Sequence, residues 1–141
     1  MKSMLALTPL LILAACSRPA PPPDNARLDD GGAPIATRAV NIGSEGPRLP
    51  ACPSVSRVVA AGTNVYWAPE EIRVPKAKLP GGTRVALCEA SDDDRWFGVV
   101  FAGPDTEMDL CGVGRPVQAA REYQGPCRWG WIKGGTVELG R

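Results

Sequence analysis

Apolar and polar positions divide the chain into three stretches of different character. Met4 to Ala15 (MLALTPLLILAA) is a nearly unbroken apolar run behind the charged start Met1-Lys2-Ser3. From Ser17 to about Pro50 no apolar period is sustained. From Ala51 onward, short β-branched and aromatic runs alternate with turn residues. These runs predict strands at Val58-Val59-Ala60, at Asn64-Val65-Tyr66-Trp67 and at Arg84-Val85-Ala86-Leu87, the last with period-two alternation. Arg95 to Phe101 is apolar on both faces and predicts a central strand. Trp129-Gly130-Trp131-Ile132 and Val137-Glu138-Leu139 complete the set, with Asp92-Asp93-Asp94 as a turn. Ala68 to Lys78 scatters charges among prolines and predicts a loop. No segment carries a useful helical period, so the expected class is all-β.

The first stretch reads as an address. A membrane-spanning helix needs about 20 apolar residues, and this run is shorter. A positive start, a short apolar region and a small-residue end fit a cleavable export signal over residues 1–15. The run closes on Leu13-Ala14-Ala15-Cys16, which resembles the bacterial lipobox. That resemblance implies diacylglycerol and an N-acyl chain on Cys16, with cleavage before it. Each buried CH₂ contributes ~0.8 kcal/mol, so two or more acyl chains anchor stably where one does not. Ser17 stands where an aspartate retains such proteins at the inner membrane of well-studied Gram-negative bacteria. The expected location is the periplasmic side of a bacterial membrane, the outer favoured over the inner.

The second stretch reads as a disordered tether over residues 16–50. Arg18-Pro19-Ala20-Pro21-Pro22-Pro23 favours extended polyproline-like chain. Asp29-Asp30-Gly31-Gly32 and Gly43-Ser44-Glu45-Gly46-Pro47 are breakers. Such a segment buries too little surface to offset its ordering entropy. Ala39-Val40-Asn41-Ile42 is the one part apolar enough to pack on the domain.

Charge and composition narrow the chemistry. Lys+Arg number 16 and Asp+Glu 15, and Lys2 lies in the expected signal, leaving 15 of each. A neutral chain offers no electrostatic reason for nucleic-acid binding. There is no histidine, which removes the commonest general base and metal ligand. With Cys16 lipidated, Cys52, Cys88, Cys111 and Cys127 remain, an even number that reads as two disulfides with three possible pairings. Cys111–Cys127 with Cys52–Cys88 is favoured: the first staples a loop at its ends, the second pins the N-terminal arm beside the strand after Leu87. The cysteine spacings do not suit zinc, and the histidine that usually activates a thiol is missing. Asp92 to Asp94 lack the alternating ligand offsets of a calcium loop. Asp105, Glu107 and Asp109 read as a solvated acidic rim. No cofactor beyond the lipid, no metal and no catalytic residue are expected.

Several landmarks then fall in a known order. Asn64-Val65 with Pro69, Leu79-Pro80-Gly81-Gly82-Thr83-Arg84-Val85-Ala86-Leu87, the acidic turn, Trp96 with Val99, and Gly130-Trp131-Ile132 before Val137 resemble bacterial Src-homology-3 (SH3b) domains. The resemblance implies a small, partly open SH3-like barrel over residues 51–141. It departs from the pattern at Ala102 to Arg128, where a long insertion holding two cysteines replaces a short turn.

That resemblance also implies binding of peptides or cell-wall fragments on an aromatic face. Trp96 and Trp131 read as core, since so small a barrel needs them. Tyr66, Trp67, Trp129 and Tyr123 are the candidate ligand-binding residues. Trp129 shares a face with Trp131 in a regular strand, which makes core its competing assignment. The expected function is a lipid-anchored envelope module that binds peptidoglycan peptide or a periplasmic protein. An inhibitor of a lysozyme or protease, with the insertion as its plug, is the alternative. An envelope enzyme is disfavoured by the missing histidine and the short folded part.

Overall fold

The computed structural model describes residues 35–59 and 62–139. The expected export signal, Cys16 and the proline-rich part of the expected tether therefore lie outside the described residues. The domain is all-β, with β1 (Asn41–Ile42), β2 (Ser54–Arg57), β3 (Thr63–Val65), β4 (Ala77–Leu79), β5 (Arg84–Ala90), β6 (Trp96–Phe101), β7 (Arg121–Glu122) and β8 (Arg128–Lys133). Among the described residues a single 3-10 turn, Met108–Cys111, interrupts the strands.

The centre is an antiparallel sheet in the order β2-β5-β6-β8. β6 lies between β5 and β8, pairing Val100 with Ala86 on one side and with Trp129 on the other. Its apolar residues on both faces are therefore explained: the sheet is covered twice. Side chains alternate along each strand, so β6 sends Trp96 and Val100 to one face and Val99 and Phe101 to the other. The second face packs on Val58, Val65, Leu79, Ile132 and Val137. The first packs Trp131 and Tyr66 beneath Val40, Ile42, Val113 and Tyr123.

Two sets of contacts curl the sheet. Tyr66 and Trp131 exchange backbone hydrogen bonds at 2.8 and 3.0 Å. The chain end returns to β2 through Val59 N–H to Thr136 O (2.9 Å) and Glu138 N–H to Arg57 O (3.0 Å). Gly130 permits the first closure, because a Cβ there would sit 2.9 Å from the Tyr66 carbonyl and collide with Val65. Gly130→Ala is expected to destabilise the domain by about 1–3 kcal/mol through overpacking, read as a lower urea midpoint.

The folded part begins upstream of the boundary expected at residue 51. Val40 is fully buried, and β1 pairs with β7 inside the insertion. Two apolar side chains suffice because a ready-made apolar face awaits them. The first predicted strand sits earlier than expected, at Ser54–Arg57, with Val58 as a bridge to Val137. Val137 makes that bridge, and residues 138–139 are in no strand. The loop expected through Lys78 ends in β4, which pairs with β3 (Asn64 opposite Lys78). Three residues behind a proline-rich stretch carry too little pattern to announce a strand.

Both favoured disulfides are present, Cys52–Cys88 and Cys111–Cys127. Cys88 is the extra residue of a bulge in β5, between the Leu87–Val99 and Glu89–Gly98 pairs. Leu87 and Cys88 are both buried, one in each core, as strand alternation requires.

Candidate functional site

The four aromatic residues expected on a ligand face separate into two pairs. Tyr66 is buried, edge-to-face with Trp96 at 5.4 Å between ring centroids. Tyr123 is also buried; its hydroxyl donates to Cys111 O (3.0 Å) and accepts from Cys127 N–H (3.1 Å). That ring braces the disulfide-closed insertion, and burial pushes its phenol pKa upward. Both assignments to a ligand surface are therefore corrected. Each ring lies under a chain segment the sequence pattern did not place there.

Trp67 and Trp129 do come together, edge-to-face at 6.5 Å and both half-buried. Lys76 lies over them, its Nζ 3.2 Å from the Trp129 centroid and 4.5 Å from that of Trp67. This is a cation–π cluster. The lysine covers one face of each ring. Trp129 also shares its face of β8 with Trp131, as the period-two spacing requires. Trp131 is fully buried, as expected, but beneath the upstream arm.

The larger open feature is a groove of about 980 Å³ assembled from four separate segments. Pro69, Glu70 and Glu71 form one wall, in the loop after β3. Asp94 and Arg95 form the facing turn, Trp96 and Phe97 the floor, and Lys133 to Gly135 with Leu139 the far end. Asp94 has φ 54°, the only non-glycine with positive φ among the described residues. Aspartate tolerates this conformation better than most residues, and Asp94 N–H closes the turn on Ser91 O (2.9 Å).

The groove's charges are unevenly matched. Glu71 pairs with Lys133, and Arg95 pairs with Asp93. The Ser91 hydroxyl, with Arg95, holds the Asp93 carboxyl down at about 2. Glu70 and Asp94 have no ion-pair partner among the described residues. The groove thus joins an apolar floor to two uncompensated carboxylates. Sequence reading singled out none of Glu70, Lys133 and Leu139. The signal was faint: charged residues next to proline and glycine turns, whose convergence only the fold reveals.

Among the described residues, no group of three histidine, cysteine or acidic side chains is placed to hold a metal ion. All four described cysteines are in disulfides. No family model, curated protein or solved structure matches the chain.

Proposed function

We propose that the chain is a lipid-anchored binding module of the bacterial cell envelope. In this reading residues 1–15 are the export signal, Cys16 carries the lipid, and an SH3-like domain presents the groove to peptidoglycan peptide. The single observation that carries the binding reading is the groove itself: half-buried Phe97 and exposed Leu139 beside Glu70 and Asp94, which have no ion-pair partner among the described residues. An extended peptide with a free amine meets both features, its apolar parts on Phe97 and Leu139 and its cation at the carboxylates. Peptidoglycan peptides carry such an amine on their diamino acid. The curled sheet with its β3–β4 excursion favours the SH3-like assignment.

Co-sedimentation with purified sacculi tests this. The chain should pellet with sacculi, and Glu70→Gln with Asp94→Asn should reduce the bound fraction several-fold without lowering thermal stability. Exposed charges that face a ligand weaken with salt, so retention should fall as salt rises. Equal retention of the double variant would reject the groove as the site. No retention of the unaltered chain would reject the peptidoglycan reading.

One observation favours the inhibitor reading. Leu110 is 64 % exposed on the 3-10 turn next to the disulfide-bonded Cys111, so an apolar side chain projects from a braced loop. Leu110→Ala should then abolish inhibition of a lysozyme or protease; an unaltered chain that inhibits neither ends this reading.

A further inference from the structure

We propose that the upstream arm is part of the binding site: docking of residues 36–38 fixes the groove wall at Trp67–Glu70, so ligand binding and arm docking reinforce each other. The inference rests on the groove being the ligand site.

Arg38 is the joint. Its N–H donates to the Trp67 carbonyl (2.9 Å), and its own carbonyl accepts from Trp131 Nε1 (2.8 Å). Its guanidinium lies 4.5 Å from the Trp131 ring centroid and pairs with Glu89 Oε2 at 3.2 Å. Glu89 has a side chain only 10 % exposed and also accepts the Asn41 N–H (2.7 Å). One residue thus ties the arm to β5, to β8 and to the base of the wall.

The wall is thin. Pro69 and Glu70 line the groove on one side and, on the other, a hollow of about 200 Å³ whose opposite bank is Ala36, Thr37 and Arg38. A two-residue partition open on both sides takes its position from whatever holds its base. Here the arm supplies a donor to the Trp67 carbonyl, immediately before Ala68 and Pro69. If the arm leaves, that carbonyl loses its Arg38 donor and Trp131 Nε1 its Arg38 acceptor, and the apolar surface beneath the arm opens to water, which disfavours the opened state. A ligand that needs the wall in place must then favour the docked arm by the same factor with which the arm favours the ligand. Arg38 and Glu89 act as positioning residues, since neither lines the groove.

The test uses the full chain, purified in detergent with its disulfides intact, and soluble muropeptides released from sacculi. Arg38→Ala removes the ion pair and the ring contact but keeps both backbone bonds. Its dissociation constant for muropeptides should rise about 5- to 10-fold, within the usual range of coupling between sites, and Arg38→Lys should recover part of the loss. Reciprocally, muropeptides should slow hydrogen exchange at the Arg38 and Asn41 amides of the unaltered chain. Unchanged affinity in a folded Arg38→Ala, or arm amides indifferent to muropeptide, overturns the coupling and leaves the groove reading standing. If Arg38→Ala fails to fold, the exchange measurement on the unaltered chain decides alone. Absence of any muropeptide binding by the unaltered chain rejects the groove reading itself.

Discussion

Trp131→Ala is expected to lower stability by about 3–5 kcal/mol, the usual range for removing a large aromatic from a packed core. The physical grounds are specific to its position. Trp131 is fully buried on the face of β8 that the arm covers. Its indole N–H supplies the donor for the Arg38 carbonyl, and its ring carries the Arg38 guanidinium. Truncation therefore leaves a cavity and also unseats the arm that roofs it. Domains of this size are stable by only about 5–15 kcal/mol, so the variant should lose a large share of the domain's stability. Thermal unfolding followed by near-ultraviolet circular dichroism checks this. A midpoint within a few degrees of the unaltered chain would show that the arm and Trp131 are not an integral core.

Reduction of both disulfides is expected to have the largest effect of all. Cys52–Cys88 spans 36 residues and Cys111–Cys127 spans 16. Loop-closure arithmetic assigns them about 4 and about 3 kcal/mol respectively. Together these rival the whole stability of a small domain. The two bridges also sit in the same core, joining the arm side to β5 and closing the insertion that holds Tyr123 over it. Reduction should unfold the domain at moderate temperature and expose Tyr66, Trp96 and Trp131 to water. Tryptophan emission in a reductant titration reads it. Cys52→Ala with Cys88→Ala should cost more than Cys111→Ala with Cys127→Ala, because its loop is longer. Emission unchanged after full reduction would mean that apolar packing alone holds the fold.

Much of this architecture was legible before any coordinates, for identifiable reasons. The central strand β6 declared itself because a sheet covered on both faces needs apolar residues at every position, and Trp96 to Phe101 supplies them. The acidic turn was legible because Asp92 to Asp94 can hardly be anything else between two apolar strands. The disulfides followed from even cysteine arithmetic and from where each bridge would be useful. The core on the Trp96 and Val100 face was only partly legible: Ala39 to Ile42 was apolar enough to pack, but Val113 and Tyr123, which complete its lid, stand isolated in polar neighbourhoods. Tyr66 and Tyr123 were placed on the surface for the same reason: the segments that bury them lie far away in sequence. The groove was hidden differently. Its lining is spread over segments 69–71, 94–97 and 133–135 and Leu139, and convergence of distant segments is a property of topology rather than of local pattern.

The corrected extent of the domain changes how it should be handled. A fragment starting at residue 50 keeps both disulfides but loses Arg38, Val40 and Ile42, and with them the roof over Trp131. The folded unit is better begun at or before Ile35.

The most direct test of the binding account is an amide-resolved NMR titration of the folded unit, residues 35 to 141, with soluble muropeptides. The account predicts shifts concentrated at Glu70–Glu71, Asp94–Phe97 and Lys133–Gly135, with smaller ones at Arg38. Shifts confined to Met108–Pro126, or a spectrum that muropeptides leave unchanged, would contradict it.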